Sequence, residues 1–330
     1  RRGWLENGPH TGNKNCTGAG RGAEPFVEVS WETAIALVAG ELQRLYDSFG
    51  ASSIYAGSYG WASAGRLHAA QGTLKRFLAL AGGFTNSVGN YSNGAASVLL
   101  PYILGSGQAA NGPLTSWSAI EQHTDTLLCF GGVPLKNTQI NHGGLPEHDD
   151  RGWQKRISDS GVDVVYVGPL RDDVAALAGA EWLAPRPNTD AALMLGLAHT
   201  VYTEGLHDAT FLASHCSGFE KFLPYLTGEA DGTPKDADWA AAICALPAET
   251  IRALARRIAR GRTMITACWS LQRADHGEQP YWAAITLAAM LGQIGLPGGG
   301  VGFGYGCLGG IGTPRARAQS PRLPVPSNPC

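Results

Sequence analysis

Charge is scarce in this sequence. Asp, Glu, Lys and Arg make up 16% of its 330 residues, and the formal net charge is -2. An average globular chain carries ~25% charged residues. No basic run exceeds a few residues, so a solvated disordered chain and a nucleic-acid-coating protein are excluded. No apolar run reaches the ~18 residues a membrane span needs. Paired cysteines are missing too. The seven cysteines, at positions 16, 129, 216, 244, 268, 307 and 330, are odd in number and never spaced C-x-x-C. That argues against a disulfide framework or a zinc ribbon. Cys129 and Cys268 sit in apolar runs, where a buried inert thiol is the better reading. There is no initial methionine, and the proline-rich PRLPVPSNPC forms no closing element. Both ends therefore read as cut, and the lack of a targeting segment says nothing about compartment.

What the chain does have is glycine, 45 residues of it, nearly twice the average ~7%. Without a collagen period, such a surplus points to tight turns or to backbone pressed close to a ligand. The length predicts about two domains. Four apolar runs read as buried parallel strands: SSIYAGS from Ser52, TLLCFGG from Thr126, VDVVYVG from Val162 and TMITACW from Thr263. Helical patterns lie between them. The first follows Ser30, a good N-cap, with Glu32 in its first turn. Ile35, Val38, Leu42, Leu45 and Phe49 recur at steps of three and four and predict one buried face. Further helices are expected over Arg66 to Leu80 (stopped by Gly82 and Gly83), Ala95 to Leu104, Trp153 to Ser160, Asp190 to Thr203, Ala237 to Cys244, Ala248 to Ile258 and Pro280 to Ile294. Alternating strands and helices make the class α/β with parallel sheets. A division is expected near Asp150.

In open parallel sheets, ligands bind outside the carboxyl ends of the strands. Each predicted strand end carries small residues and a polar or basic group: Tyr59 and Arg66, Lys136 and Asn137, Arg171, and Gln272 with Arg273. Together they suggest a large polar ligand with phosphates, although polar surface turns would look the same. In RPNTD, Thr189 or Asp190 is either an N-cap or an acceptor for a guanine edge or a ribose. LPGGGVGFGYGCLGG holds a formal G-x-G-x-x-G at Gly304, Gly306 and Gly309. No strand is expected before it and Pro314 follows it, so it is not read as a dinucleotide fingerprint. Ser92, just before a helix, is open to three readings. It is an N-cap, a nucleophile one glycine short of a G-x-S-x-G elbow, or a metal-ligand alkoxide.

GSYGWASAGRLH, GGFTNSVGNYSNGAA, RPNTDAALMLGLAHT, TGEADGTPK, WSLQRADHGEQPYW and LAAMLGQIGLPGGGVGFG together resemble the molybdopterin oxidoreductases of the dimethyl sulfoxide, trimethylamine N-oxide and biotin sulfoxide reductase group. The resemblance runs from Arg1 to Pro314. It implies molybdenum held by bis(molybdopterin guanine dinucleotide), with one protein oxygen on the metal. Ser92 matches that ligand, a hard donor for a hard high-valent metal. Tyr59 and Trp61, with Gly60 between them, match residues facing the metal's oxygen position. The tyrosine is able to donate to the oxygen being transferred. Lys136 and the adjacent Asn137 match the segment whose lysine lies between pterin and metal. Gly168 and Pro169 match a turn against one nucleotide. Pro187, Asn188, Thr189 and Asp190 match the guanine-binding turn, and Trp269, Ser270 and Arg273 match the loop after the fourth strand. Asn93 stands where relatives commonly have threonine, beside the ligand position.

The implied fold is two Rossmann-like α/β domains, 1–150 and 151–314, followed by a truncated tail, 315–330. They form part of a four-domain enzyme whose C-terminal β-barrel domain lies outside this chain. The implied reaction is oxygen-atom transfer from an S-oxide or N-oxide, with the protein orienting the cofactor and setting its potential. The electron donor is a c-type cytochrome or a cytoplasmic reductant, and the compartment the periplasm, with the cytoplasm as alternative. No cysteine cluster for an iron–sulfur centre is seen, and neither nucleic acid nor membrane is expected as a partner. A serine hydrolase built on Ser92 and a non-catalytic nucleotide-binding module are the competing readings.

Overall fold

The computed structural model describes residues 25–58, 68–106, 114–141, 146–174 and 177–313, with Leu5 and Gly22 besides. Tyr59, Gly60, Trp61, Arg66 and the tail 315–330 lie outside the described residues. The described residues separate into two compact units along the chain, one up to Val88 and the other from Gly89 onward.

In the first unit, helix α1 (Trp31–Phe49) starts where expected. The Ser30 hydroxyl accepts from the Thr33 amide at 3.2 Å, and Glu32 lies in the first turn. Its own backbone amide and the Ser30 hydroxyl hold the Glu32 carboxyl below its ordinary value. Strand β1 (Tyr55–Ala56), helix α2 (Ala70–Ala81) and strand β2 (Thr85–Asn86) follow, with β1 and β2 parallel. Gly82 ends α2 at φ 137°, as the sequence predicts. The small core is Ile54, Ala56, Leu78 and Phe84, against which Leu42 and Leu45 pack. The predicted buried face of α1 is only half used: Ile35 is 63% and Phe49 61% exposed. A 19-residue helix is roughly 28 Å long, and among the described residues of this unit the two-residue strands and one shorter helix do not cover it.

The second unit runs in order through α3 (Gly94–Leu104), α4 (Trp117–His123), β3 (Thr126–Phe130), α5 (Asp150–Asp159), β4 (Asp163–Val167), β5 (Glu181–Leu183), α6 (Asp190–Thr203), α7 (Ala209–His215), α8 (Phe219–Thr227), α9 (Ala237–Cys244), α10 (Ala248–Ile258), β6 (Thr263–Ala267), α11 (Glu278–Met290) and β7 (Gly300–Phe303). The strands make one parallel sheet in the order β5-β4-β3-β6-β7, with Thr126 in register with both Asp163 and Thr263. Every residue of β3 and β6 is buried, as expected for strands covered on both faces.

Alternate residues of these strands serve two cores, because successive side chains point to opposite faces. Leu128, Phe130, Val165, Val167, Ile265 and Ala267 join residues of α3, α6, α10 and α11. Leu127, Cys129, Val164, Tyr166 and Met264 join Trp117, Ile120 and Ile157 from α4 and α5. The result is a sheet between two helical layers.

Asp150, where a division is expected, is the first residue of α5 inside this unit, and strands from both sides of it share the sheet. The short strands β2, β5 and β7 and the helices α4, α7 and α8 were not expected from the pattern. Strands of two to four residues are too short to show a period. β7 lies inside the glycine run and directly before the G-x-G-x-x-G at Gly304, contrary to expectation. The chain then turns through Thr313 without entering a helix, so the run still lacks the strand-to-helix turn of a dinucleotide fingerprint. No helix among the described residues is long and apolar enough to cross a membrane.

Candidate functional site

Parallel pairing carries the carboxyl ends of all five strands to one edge of the sheet. The strand order reverses between β3 and β6, and such a switch point opens a crevice at that edge. The sequence-predicted residues gather there. Lys136 and Asn137 follow β3, Gly168 and Pro169 follow β4, the 187–190 turn follows β5, and Trp269, Ser270 and Arg273 follow β6.

The turns are shaped by this chain's own packing. A Cβ on Gly131, at φ 83°, would lie 2.1 Å from the Cys268 sulfur, and a Cβ on Gly168 would run into the Tyr166 ring. Gly306, Gly309 and Gly312 likewise press on Pro134, Pro146 and Trp117. The glycine run is therefore an internal packing device, and does not require a ligand to account for it.

After β3, the exposed Lys136 donates to Asp173 Oδ1 at 2.8 Å. Gly168 accepts from the Trp182 indole at 2.7 Å. Asn188 takes the left-handed conformation, φ 64°, which asparagine tolerates better than most residues. Thr189 occupies the cap position of α6 without a side-chain cap bond, because its hydroxyl donates to Arg186 O at 2.6 Å. The N-cap reading of Thr189 is thus not realised. Asp190 opens α6, and burial pushes its carboxyl above the ordinary value. Its charge also raises the Cys268 thiol, itself pushed up chiefly by burial. Cys129 is raised to about 12 by burial, in keeping with an inert thiol.

Ser92 joins this edge through the loop after β6. It precedes Asn93, the cap residue of α3, whose side chain makes no cap bond. The Ser92 carbonyl accepts from Arg273 Nε at 3.2 Å and from Gln272 Nε2 at 3.4 Å. The next amide, Asn93 N, donates to Asn90 Oδ1 at 2.9 Å. An open pocket of 490 Å³ lies beside this junction, with Asn90, Tyr91, Gly94, Ala95, Gln272 and Arg273 among its lining residues. Asp173 is a neighbour that sequence reasoning left without a role, and Gln272, read there only as a strand-end polar group, gains its contacts to Ser92 and Ala96. Both stand in strand-end segments, but a single polar residue in a turn carries no signal of its partner.

Among the described residues, no group of three or more His, Cys, Asp or Glu could hold a metal ion. A lone serine oxygen does not hold a metal by itself.

The molybdopterin oxidoreductase family matches residues 14–318. Over the whole chain, it is 49% identical to the biotin sulfoxide reductase of Cereibacter sphaeroides, covering 44% of that protein. It is 47% identical over 92% of its length to the dimethyl sulfoxide/trimethylamine N-oxide reductase of the same organism, covering 36% of that protein. To the trimethylamine-N-oxide reductase of Haemophilus influenzae it is 42% identical over 92% of its length, again 36% of that relative. The chain thus spans less than half the length of these relatives. Its fold resembles that of acetylene hydratase from Pelobacter acetylenicus, with a TM-score of 0.52 at 22% identity, covering 82% of this chain and 33% of that one. A parallel α/β sheet whose polar residues converge on its switch-point edge, and a family match over most of the sequence, agree: the chain belongs to the molybdopterin oxidoreductase family.

Proposed function

We propose that this chain is the cofactor-binding part of a molybdenum-dependent reductase of S-oxides or N-oxides. The observation that carries the proposal is the 49% identity to a biotin sulfoxide reductase over the whole chain, with Ser92 held at the switch-point edge. In the full-length protein we expect four domains, two of them Rossmann-like, and a bis(molybdopterin guanine dinucleotide) cofactor. The family assignment gives the hydrolase and nucleotide-module alternatives no support.

The residues present fit such a cofactor. Its dithiolenes bring soft sulfur ligands, so the protein needs to add only one hard oxygen, and Ser92 offers it. When bound, the cofactor supplies oxygen-atom transfer: the oxide accepts two electrons and two protons and leaves as sulfide or amine plus water. The protein's part is binding and orientation. Arg273 is fixed through its Nε, leaving the outer edge of the guanidinium directed away from that bond for a phosphate. Asn188 and Asp190 present an amide and a carboxyl to a guanine edge. Gly168 and Pro169 flank a nucleotide, with Trp269 and Ser270 on the β6 side. Lys136, beside Asn137, adds positive charge that favours the reduced cofactor. Tyr59, with Gly60 and Trp61, is assigned by resemblance to donate to the oxygen of the substrate.

The test uses the full-length protein. Molybdenum and guanine nucleotide analysis should find both, and biotin sulfoxide, dimethyl sulfoxide and trimethylamine N-oxide should be assayed as oxidants of a reduced donor. Ser92→Ala should abolish turnover. A protein free of molybdenum and guanine nucleotide under conditions that load its relatives would sink the proposal.

A further inference from the structure

We infer that Gln272 is a positioning residue for Ser92, holding it in place from the loop after β6. The inference rests on the reading of Ser92 as the metal's protein ligand.

Gln272 is 5% exposed, and its amide is used at both ends. Oε1 accepts from the Ala96 amide at 2.8 Å. Ala96 is the third residue of α3, and its N–H has no partner within the helix. Asn93 does not cap it, so the cap comes from 176 positions away in sequence. Nε2 donates to the Ser92 carbonyl at 3.4 Å and to the Tyr281 hydroxyl at 3.3 Å. Tyr281 is itself buried, and its hydroxyl donates to Cys268 O at 3.1 Å.

The partners dictate which way the amide points. The Ala96 N–H can only donate and the Ser92 carbonyl can only accept. A flipped amide would set NH2 against N–H and oxygen against oxygen. The side chain is thus a one-way clamp tying the start of α3 and the Ser92 carbonyl to α11 and the end of β6. With Arg273 on the same carbonyl and Asn90 on the following amide, the 92–93 peptide plane is held on both sides. Fixing that plane fixes Cα and the carbonyl carbon of Ser92, so the Cα–Cβ bond is left with rotation about ψ alone, and the hydroxyl with the staggered choices of χ1. Gln272 meets Ser92 at the carbonyl, so its effect is exerted through the backbone of Ser92.

Two substitutions separate capping from positioning in the loaded, full-length enzyme. Gln272→Glu keeps the acceptor for Ala96 and, in its ionised form, removes both donors, so it is assayed well above the carboxylate range. Gln272→Met removes everything at similar volume. For Gln272→Glu, we expect molybdenum content and melting temperature near wild type, an altered Mo(V) electron paramagnetic resonance signal, and kcat lowered about 10- to 100-fold, the range for partners that orient a metal ligand. KM should change by no more than about twofold, because the lost interaction is not with substrate. Gln272→Met should show the same changes, and where it does not fold, Gln272→Glu decides. A wild-type signal and kcat in Gln272→Glu overturn the inference, and so does failure of both variants to fold, which would make the role structural only. Ser92→Ala is the control. If it alters the signal while the Gln272 variants do not, only the Gln272 inference fails. If it leaves the signal unchanged, the ligand reading has failed and the inference falls with it.

Discussion

A Cβ on Gly304 would lie 2.3 Å from Nε1 of Trp269. Gly304 also sits at φ 84°, and its amide donates to Ala267 O at 2.9 Å, continuing the β6–β7 pairing past the strand end. The absence of a side chain at 304 therefore lets the indole nitrogen of Trp269 approach the loop after β7. Gly304→Ala meets both a strained backbone and a direct overlap. It should destabilise the full-length protein by about 1–3 kcal/mol, read as a lower melting temperature. An unchanged melting temperature would show that the Trp269 loop yields easily.

Lys235 is a second packing device, 3% exposed. Its ammonium pairs with Asp231 at 2.7 Å, donates to Thr233 O, and lies 4.4 Å from the Tyr225 ring centre. The lysine folds the TGEADGTPK segment onto itself. Lys235→Met keeps the aliphatic stem but leaves Thr233 O without its donor and Asp231 with only the Thr233 amide. Chemical denaturation should report a loss of about 1–3 kcal/mol. The pair also holds the Asp231 carboxyl below its ordinary value, first through the hydrogen bond from Lys235. That contribution is present above the ordinary value of 3.8 and is lost as pH falls through the lower folded value.

Asp150 behaves in the opposite sense. It is 1% exposed, and burial pushes its carboxyl from 3.8 up to about 6, against weaker polar contacts from Gly310 and Trp117. Between those values the folded protein holds a proton that the unfolded chain has released, so this group's contribution to stability falls as pH rises through the window. Asp150→Asn should flatten that slope and raise stability at neutral pH by on the order of 1–2 kcal/mol. Melting temperatures of wild type and variant measured from pH 4 to pH 8 check it, and parallel curves would count against it.

Lys136 tests the division between surface pairing and cofactor chemistry. Its bond to Asp173 is made by an exposed lysine, and such pairs contribute about 0–1 kcal/mol. Lys136→Gln should leave the melting temperature nearly unchanged. In the loaded enzyme, the proposed place of Lys136 beside the cofactor means that the substitution removes a cation there and disfavours reduction, so the molybdenum midpoint potential should fall. A potentiometric titration decides, and an unmoved potential would withdraw Lys136 from the cofactor surface.

Much of the second unit was legible in the sequence. Asp190–Thr203, Ala237–Cys244 and Ala248–Ile258 begin and end as the pattern predicts. β3, β4 and β6 stand where their apolar runs fall, because continuous burial on both faces leaves an unbroken hydrophobic signature. The short β5 and β7 were not legible, since the sheet recruits them by pairing with a neighbour and not by their own composition. The α1 face misled in part: periodicity says that a face is apolar, and not how much partner surface exists to cover it.

The sequence by itself determined the α/β class, the main strands and helices, and, through its motifs, the family. These features rest on local periodicity and on residue types, both readable along the chain. Only the tertiary structure decided that strands on either side of Asp150 share one sheet, that the glycine run packs on its own chain, and that Gln272 caps Ala96 and grips the Ser92 carbonyl. Each of these is a contact between residues far apart in sequence, fixed by the complementarity of one donor and one acceptor or by the room left for one missing Cβ.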